Sequence, residues 1–135
     1  MEPPQVFVIA SFDPDGERVQ DAVRRAIEEA GFRAVRPDRE ISPGAELATN
    51  ILDSIRQSDL VIADVSRQNP NVLYEVGFAH ALRKPTILLF NIKSDYDLPS
   101  DLAGLQYIPY DLRNLRGLAE RVKSETKALT MQRSA

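Results

Sequence analysis

The chain has 135 residues, 43% of them hydrophobic and 27% charged, which suits one soluble-type domain with a sizeable core and leaves no room for two. A net charge of −3 gives no electrostatic reason to expect a nucleic acid or an anionic membrane as partner. With no cysteine and only His80 as histidine, disulfides and thiolate metal sites are excluded, and a histidine metal site or Ser-His-Asp triad has too few parts.

Gln5 to Ala10 is a short continuous apolar run, as in a strand buried on both faces. Asp13-Pro14-Asp15-Gly16 then turns the chain and supplies acidic residues suited to a helix start. Val19, Ala22, Val23, Ala26, Ile27 and Ala30 recur at helical spacing, and Gly31 closes that helix. Phe32 to Val35 reads as a second strand, interrupted by Pro37, and Asp38 to Gly44 as a loop containing Pro43. A second amphipathic helix carries Leu47, Ile51 and Ile55 on one stripe, with Ala48 and Leu52 beside it.

Leu60 to Ala63 is the third predicted strand and Pro70 to Leu82 the third helix, Pro70 fitting the first turn, where its missing N–H costs nothing. Pro85 to Phe90 is the fourth strand, and a weaker fifth lies around Leu105 to Ile108 after a polar loop, Asn91 to Ser100. The last helix carries Leu115, Leu118, Ala119, Val122 and Leu129, then frays from Met131. No apolar run approaches the ~20 residues of a membrane span. Met1-Glu2-Pro3-Pro4 lacks the positive region of a secretion signal, so the expectation is a cytoplasmic protein.

Strands alternating with helices call for parallel pairing and right-handed crossovers. The expected fold is α/β, a flavodoxin-like three-layer sandwich over residues 1–135 with a five-stranded parallel sheet in the order 2-1-3-4-5. In that order the winding reverses between the first and third strands, and ligands bind outside the carboxyl ends there. Two loops, Ser11 to Gly16 and Asp64 to Asn71, meet at that point with Glu75.

Glu75 is the only acidic residue between Asp64 and Asp95, placed by this reading one turn into a mostly apolar helix. The bland reading is a surface carboxylate that complements the helix dipole; the functional one is a reactive group aimed into the crevice. Asn69 and Asn71 either cap the helix or bond a ligand's hydroxyls. Asp64 either caps the next turn or holds a ribose hydroxyl. Ser11 and Phe12 face the crevice, where Phe12 stacks on a flat base or merely packs. The first loop is no phosphate cradle, since it has one glycine, Gly16, and Asp13 and Asp15 repel phosphate. Gly77 leaves space for a close neighbour. Asp59, at the amino end of its strand, is structural, His80 is a surface or interface residue, and Arg18, Arg24, Arg25, Glu28 and Glu29 form a solvated face.

The stretch from Ser58 to Phe90, with Tyr74-Glu75-Val76-Gly77-Phe78-Ala79 at its centre and Lys84-Pro85 before the next strand, resembles the nucleoside 2-deoxyribosyltransferase superfamily. That superfamily includes deoxyribosyltransferases and nucleotide N-glycosidases. The resemblance implies a flavodoxin-like fold, a nucleoside or nucleotide substrate, no cofactor, a homodimer or higher homo-oligomer, and Glu75 attacking the anomeric carbon. Substrate contacts then fall to Ser11, Phe12, Asp64, Asn69 and Asn71.

The chain departs from the superfamily at three places. Asn69 stands where deoxyribosyltransferases carry an aspartate six residues before the nucleophile. Asn50 and Ile51 stand near the sugar-holding aspartate of the second helix, with Asp53 out of step. The first loop lacks the small, glycine-bearing run.

The same stretch is similar to bacterial TIR-like domains, some of which use a helix glutamate to split the nicotinamide bond of NAD. A purine or pyrimidine leaves poorly unless an acid protonates it, whereas nicotinamide in NAD already carries positive charge. Asn69 in place of an acid therefore points to a good leaving group, or to Asp64 or Asp38 as proton donor. A nucleotide-sensing module without turnover is the alternative from another class.

Overall fold

Five short apolar runs become the strands of one parallel sheet, and the helices between them cover both its faces. The computed structural model describes residues 3–35, 47–98, 102 and 104–134, the side chains of 47–50 and 132–134 excepted. Asp38, Pro37, Pro43 and the side chain of Asn50 lie outside the described residues. In chain order the elements are β1 (Gln5–Ile9), α1 (Pro14–Glu29), β2 (Arg33–Val35), α2 (Leu47–Gln57), β3 (Leu60–Asp64), α3 (Pro70–Ala81), β4 (Thr86–Asn91), β5 (Tyr107–Tyr110) and α4 (Leu115–Ser134). The sheet order is β2-β1-β3-β4-β5, all parallel, as the alternating pattern predicts.

Because strand side chains alternate between faces, the sheet feeds two cores. Val6 and Val8 of β1, with Leu60 and Ile62 of β3, pack with Val19, Val23 and Ile27 of α1 and Leu118 and Val122 of α4. Phe7 and Ile9, with Val61 and Ala63, pack with Ile55 of α2 and Val72, Val76 and Ala79 of α3. Phe7, Ile62 and Val61 have no exposed surface, which accounts for the near-absence of polar residues in β1 and β3.

Local chemistry sets the helix ends. Asp13 caps α1 by accepting the Gly16 N–H at 2.7 Å, with Pro14 in the first helical turn. Gly31, at φ 92, follows α1 in the left-handed conformation that only glycine adopts without strain. Two expectations shift. β5 is Tyr107–Tyr110 rather than Leu105 to Ile108, because Leu105 packs on the α2–α3 core instead of pairing with β4. α4 continues to Ser134, past the expected fraying point at Met131.

Candidate active site

β1 and β3 are neighbours, with Ile9 level with Ala63, and the chain leaves the sheet in opposite directions from them. The loops after these strands therefore border the reversal point, where an open α/β sheet offers its crevice. Arg67, in the loop after β3, joins them. Its guanidinium lies 2.6 Å from Asp13 and 3.4 Å from Asp15 at the start of α1. Ser11 Oγ donates to the same Asp13 carboxylate at 2.9 Å. Burial works against ionisation of Asp13, but hydrogen bonds from Gly16 and Ser11 and the charge of Arg67 hold it below the usual carboxylate range. Phe12, between Ser11 and Asp13, is 68% exposed at the rim.

Asp64 closes β3 and is buried. Its Oδ1 accepts the Ser66 N–H at 3.0 Å and the Ser66 hydroxyl, and its Oδ2 accepts the Tyr110 hydroxyl at 2.7 Å. Burial raises its pKa, against the lowering pull of those donors. Both oxygens are thus engaged inside the protein. The same network ties in the next loop, since Ser66 Oγ accepts the Asn91 N–H at 2.7 Å and Ser66 O accepts the Ser94 hydroxyl. The Tyr110 hydroxyl is raised by burial first and then by the charge of Asp64.

Asn69 caps α3, its Oδ1 accepting the N–H groups of Asn71 at 2.9 Å and Val72 at 3.3 Å. Asn71 is exposed in the first turn. Since α3 begins at Pro70, Glu75 is in its second turn, beyond the strong part of the helix dipole. The dipole of α3 therefore does little to favour its ionised form. Glu75 leaves the helix at the edge of the buried stripe of Val72, Val76 and Ala79 and is half-buried. Among the described residues none forms a hydrogen bond or ion pair with it, and burial alone pushes its carboxyl up to about 7. Such a group is divided between its two forms near neutral pH, a state suited to a nucleophile or to proton transfer.

Phe78, three residues on along α3, lies under the Arg56 guanidinium of α2, whose carbon is 5.5 Å from the ring centre. Tyr74 turns outward, 62% exposed. The structure thus gathers Ser11, Phe12, Asp64 and Asn69 around the reversal point, with Glu75 on the adjoining helix. Asp64 and Asn69 reach that point with their side-chain oxygens already hydrogen-bonded. A depression of about 740 Å³ lined by Pro3, Gln5, Arg33, Asp59 and Leu60 lies at the opposite, amino-terminal ends of the strands, away from this group. Sequence reasoning missed Arg67, Ser66 and Tyr110. Only the position of Ser66 and Arg67 just past a buried strand hinted at them.

Solved structures of known proteins share this architecture. The 2-deoxyribosyltransferase of Bacillus psychrosaccharolyticus aligns over 82% of this chain and 89% of its own, with a TM-score of 0.65 and 15% identity. The CMP N-glycosidase BcmB of Clostridium botulinum aligns over 84% of this chain and 96% of its own, with a TM-score of 0.62 and 27% identity. The TIR domain of the Toll-related receptor TRR-2 of Hydra magnipapillata aligns over 86% of this chain and 91% of its own, with a TM-score of 0.68 and 21% identity. No curated protein matches the sequence. The profile of the nucleoside 2-deoxyribosyltransferase family matches residues 9–129, which takes in both rim loops and α3 with Glu75. With that span matched, the chain belongs to the nucleoside 2-deoxyribosyltransferase family.

Proposed function

We propose that the protein cleaves or transfers the N-glycosidic bond of a nucleoside or nucleotide, with Glu75 as the nucleophile. The observation that carries this reading is a half-buried carboxyl, unpaired among the described residues and raised by burial to about 7, on the helix that follows the central strand of a family-matched fold. The ionised carboxylate attacks the anomeric carbon, and the carbon–nitrogen bond breaks with its electron pair going to the departing base. Water, or a second base, then attacks the glycosyl ester and frees the carboxylate. Phe12 contacts the base, Ser11 and Asn71 contact substrate polar groups, and Asn69, through its amide, and Asp64 shape the sugar's surroundings. Incubation with deoxynucleosides, nucleotides and NAD, followed by assay of free base, tests the reading. Release from at least one class, abolished by Glu75→Ala, is expected; no release from any, or full activity in that variant, overturns it.

One observation favours a second reading. At position 69 the acid of deoxyribosyltransferases is replaced by a capping asparagine, and both oxygens of Asp64 are engaged with Ser66 and Tyr110 inside the protein rather than free to reach a leaving base. A leaving group that is already cationic, such as the nicotinamide of NAD, needs no acid. Turnover of NAD alone in the same panel selects this reading, and ligand-induced stabilisation without product selects a sensing module. Homo-oligomerisation fits both readings, because Tyr74, Gly77, Ala81 and Leu82 make an exposed, uncharged strip along α3.

A further inference from the structure

Ser66 and Arg67 sit side by side just past the carboxyl end of β3 and reach in different directions. Ser66 holds the loop after β4 through Asn91 and Ser94, and is itself fixed to Asp64 in the buried network. Arg67 holds the loop after β1 through Asp13 and Asp15. The first grip is buried, whereas Arg67 is half-exposed. The loop after β1 packs closely on Gly16 at the start of α1, where an added Cβ would lie 2.1 Å from the Ser11 carbonyl oxygen. What Arg67 adds is a lateral hold on the segment that presents Phe12.

We propose that Arg67 is a positioning residue: its ion pairs with Asp13 and Asp15 set the pose of Phe12 at the rim of the reversal point and thereby govern substrate affinity. The proposal deepens the N-glycosidic reading and rests on it for the catalytic consequence. Arginine suits the task because its planar fork offers a separate nitrogen to each carboxylate in fixed geometry, whereas a lysine ammonium must share one nitrogen between them. Exposed ion pairs are weak, so loss of the hold shifts the loop's equilibrium by roughly three- to fivefold. The hold is also screened by salt.

The chain has no tryptophan, so Phe12→Trp installs a single tryptophan, excited selectively over the tyrosines, in the loop itself. In that background Arg67→Met is expected to lower the fluorescence anisotropy of position 12, with Arg67→Lys intermediate. In the Phe12 background Arg67→Met is expected to raise KM by roughly three- to fivefold with kcat within about twofold, and to remove the parent's rise of KM with salt. Asp13→Asn, which keeps a good helix cap but loses the nearer of the two paired charges, should shift KM in the same direction by a smaller factor, and the double variant should not exceed Arg67→Met. Unchanged anisotropy in Arg67→Met overturns the latch. Changed anisotropy with unchanged KM, or additive effects in the double variant, overturns the positioning role. Absence of turnover by the parent protein overturns the N-glycosidic reading instead, and the anisotropy comparison still decides whether Arg67 holds the loop.

Discussion

Replacing Glu75 with glutamine should make the protein more stable, but only above acidic pH. In the folded chain burial raises the Glu75 carboxyl from 4.5 to about 7, so the fold prefers the protonated form. Below about pH 4.5 the group is protonated folded or unfolded and carries no penalty. As pH rises from there through 7, stability is progressively lost, because the unfolded chain ionises freely while the folded one does so in a poorly hydrated site. At 1.36 kcal/mol per pH unit the ceiling is about 3 kcal/mol, and the group's partial exposure to solvent reduces this to roughly 1–2 kcal/mol. Glutamine has nearly the same shape and no charge. Urea unfolding at pH 8 should therefore show Glu75→Gln more stable by that amount, or roughly 3–8 °C higher in Tm. The gain should vanish at pH 4. A gain equal at both pH values, or none at pH 8, would show that the carboxylate is not desolvated and would remove the physical basis for its reactivity.

Other substitutions test the frame around it. Tyr110→Phe leaves a buried Asp64 oxygen without its 2.7 Å donor and should cost about 1–3 kcal/mol in chemical denaturation. Asn69→Ala removes the α3 cap and should cost about 1 kcal/mol, while Asn69→Asp, itself a good cap, should be within a few tenths of the parent. Gly16→Ala places a methyl 2.1 Å from the Ser11 carbonyl oxygen and should lower Tm while disturbing the loop that carries Phe12; an unchanged melting curve would contradict the close packing at that point.

Much of the architecture was readable because the three central strands are buried on both faces, so β1, β3 and β4 appear as unbroken apolar runs. β5 was harder. As an edge strand it alternates, with Ile108 and Tyr110 buried and Tyr107 and Pro109 exposed, and its apolar flank at Leu105 drew the expected strand two residues early. The location of Glu75 on the third helix was legible from its isolation among apolar residues. Its electrostatic state was not, because the sign depends on how much of the carboxyl the fold covers. The engagement of Asp64 was equally hidden, since Tyr110 is 46 positions away in the chain. Arg67 stands 52 positions from Asp15, and in the sequence it is only one more polar letter in a loop.

The most direct test of the central claim is mass mapping of the enzyme quenched during turnover of whichever nucleoside, nucleotide or NAD it accepts. A mass increase equal to the glycosyl group, confined to the peptide bearing Glu75 and missing in Glu75→Gln, is the predicted result. An adduct on another residue, or steady turnover by Glu75→Gln, would contradict the account.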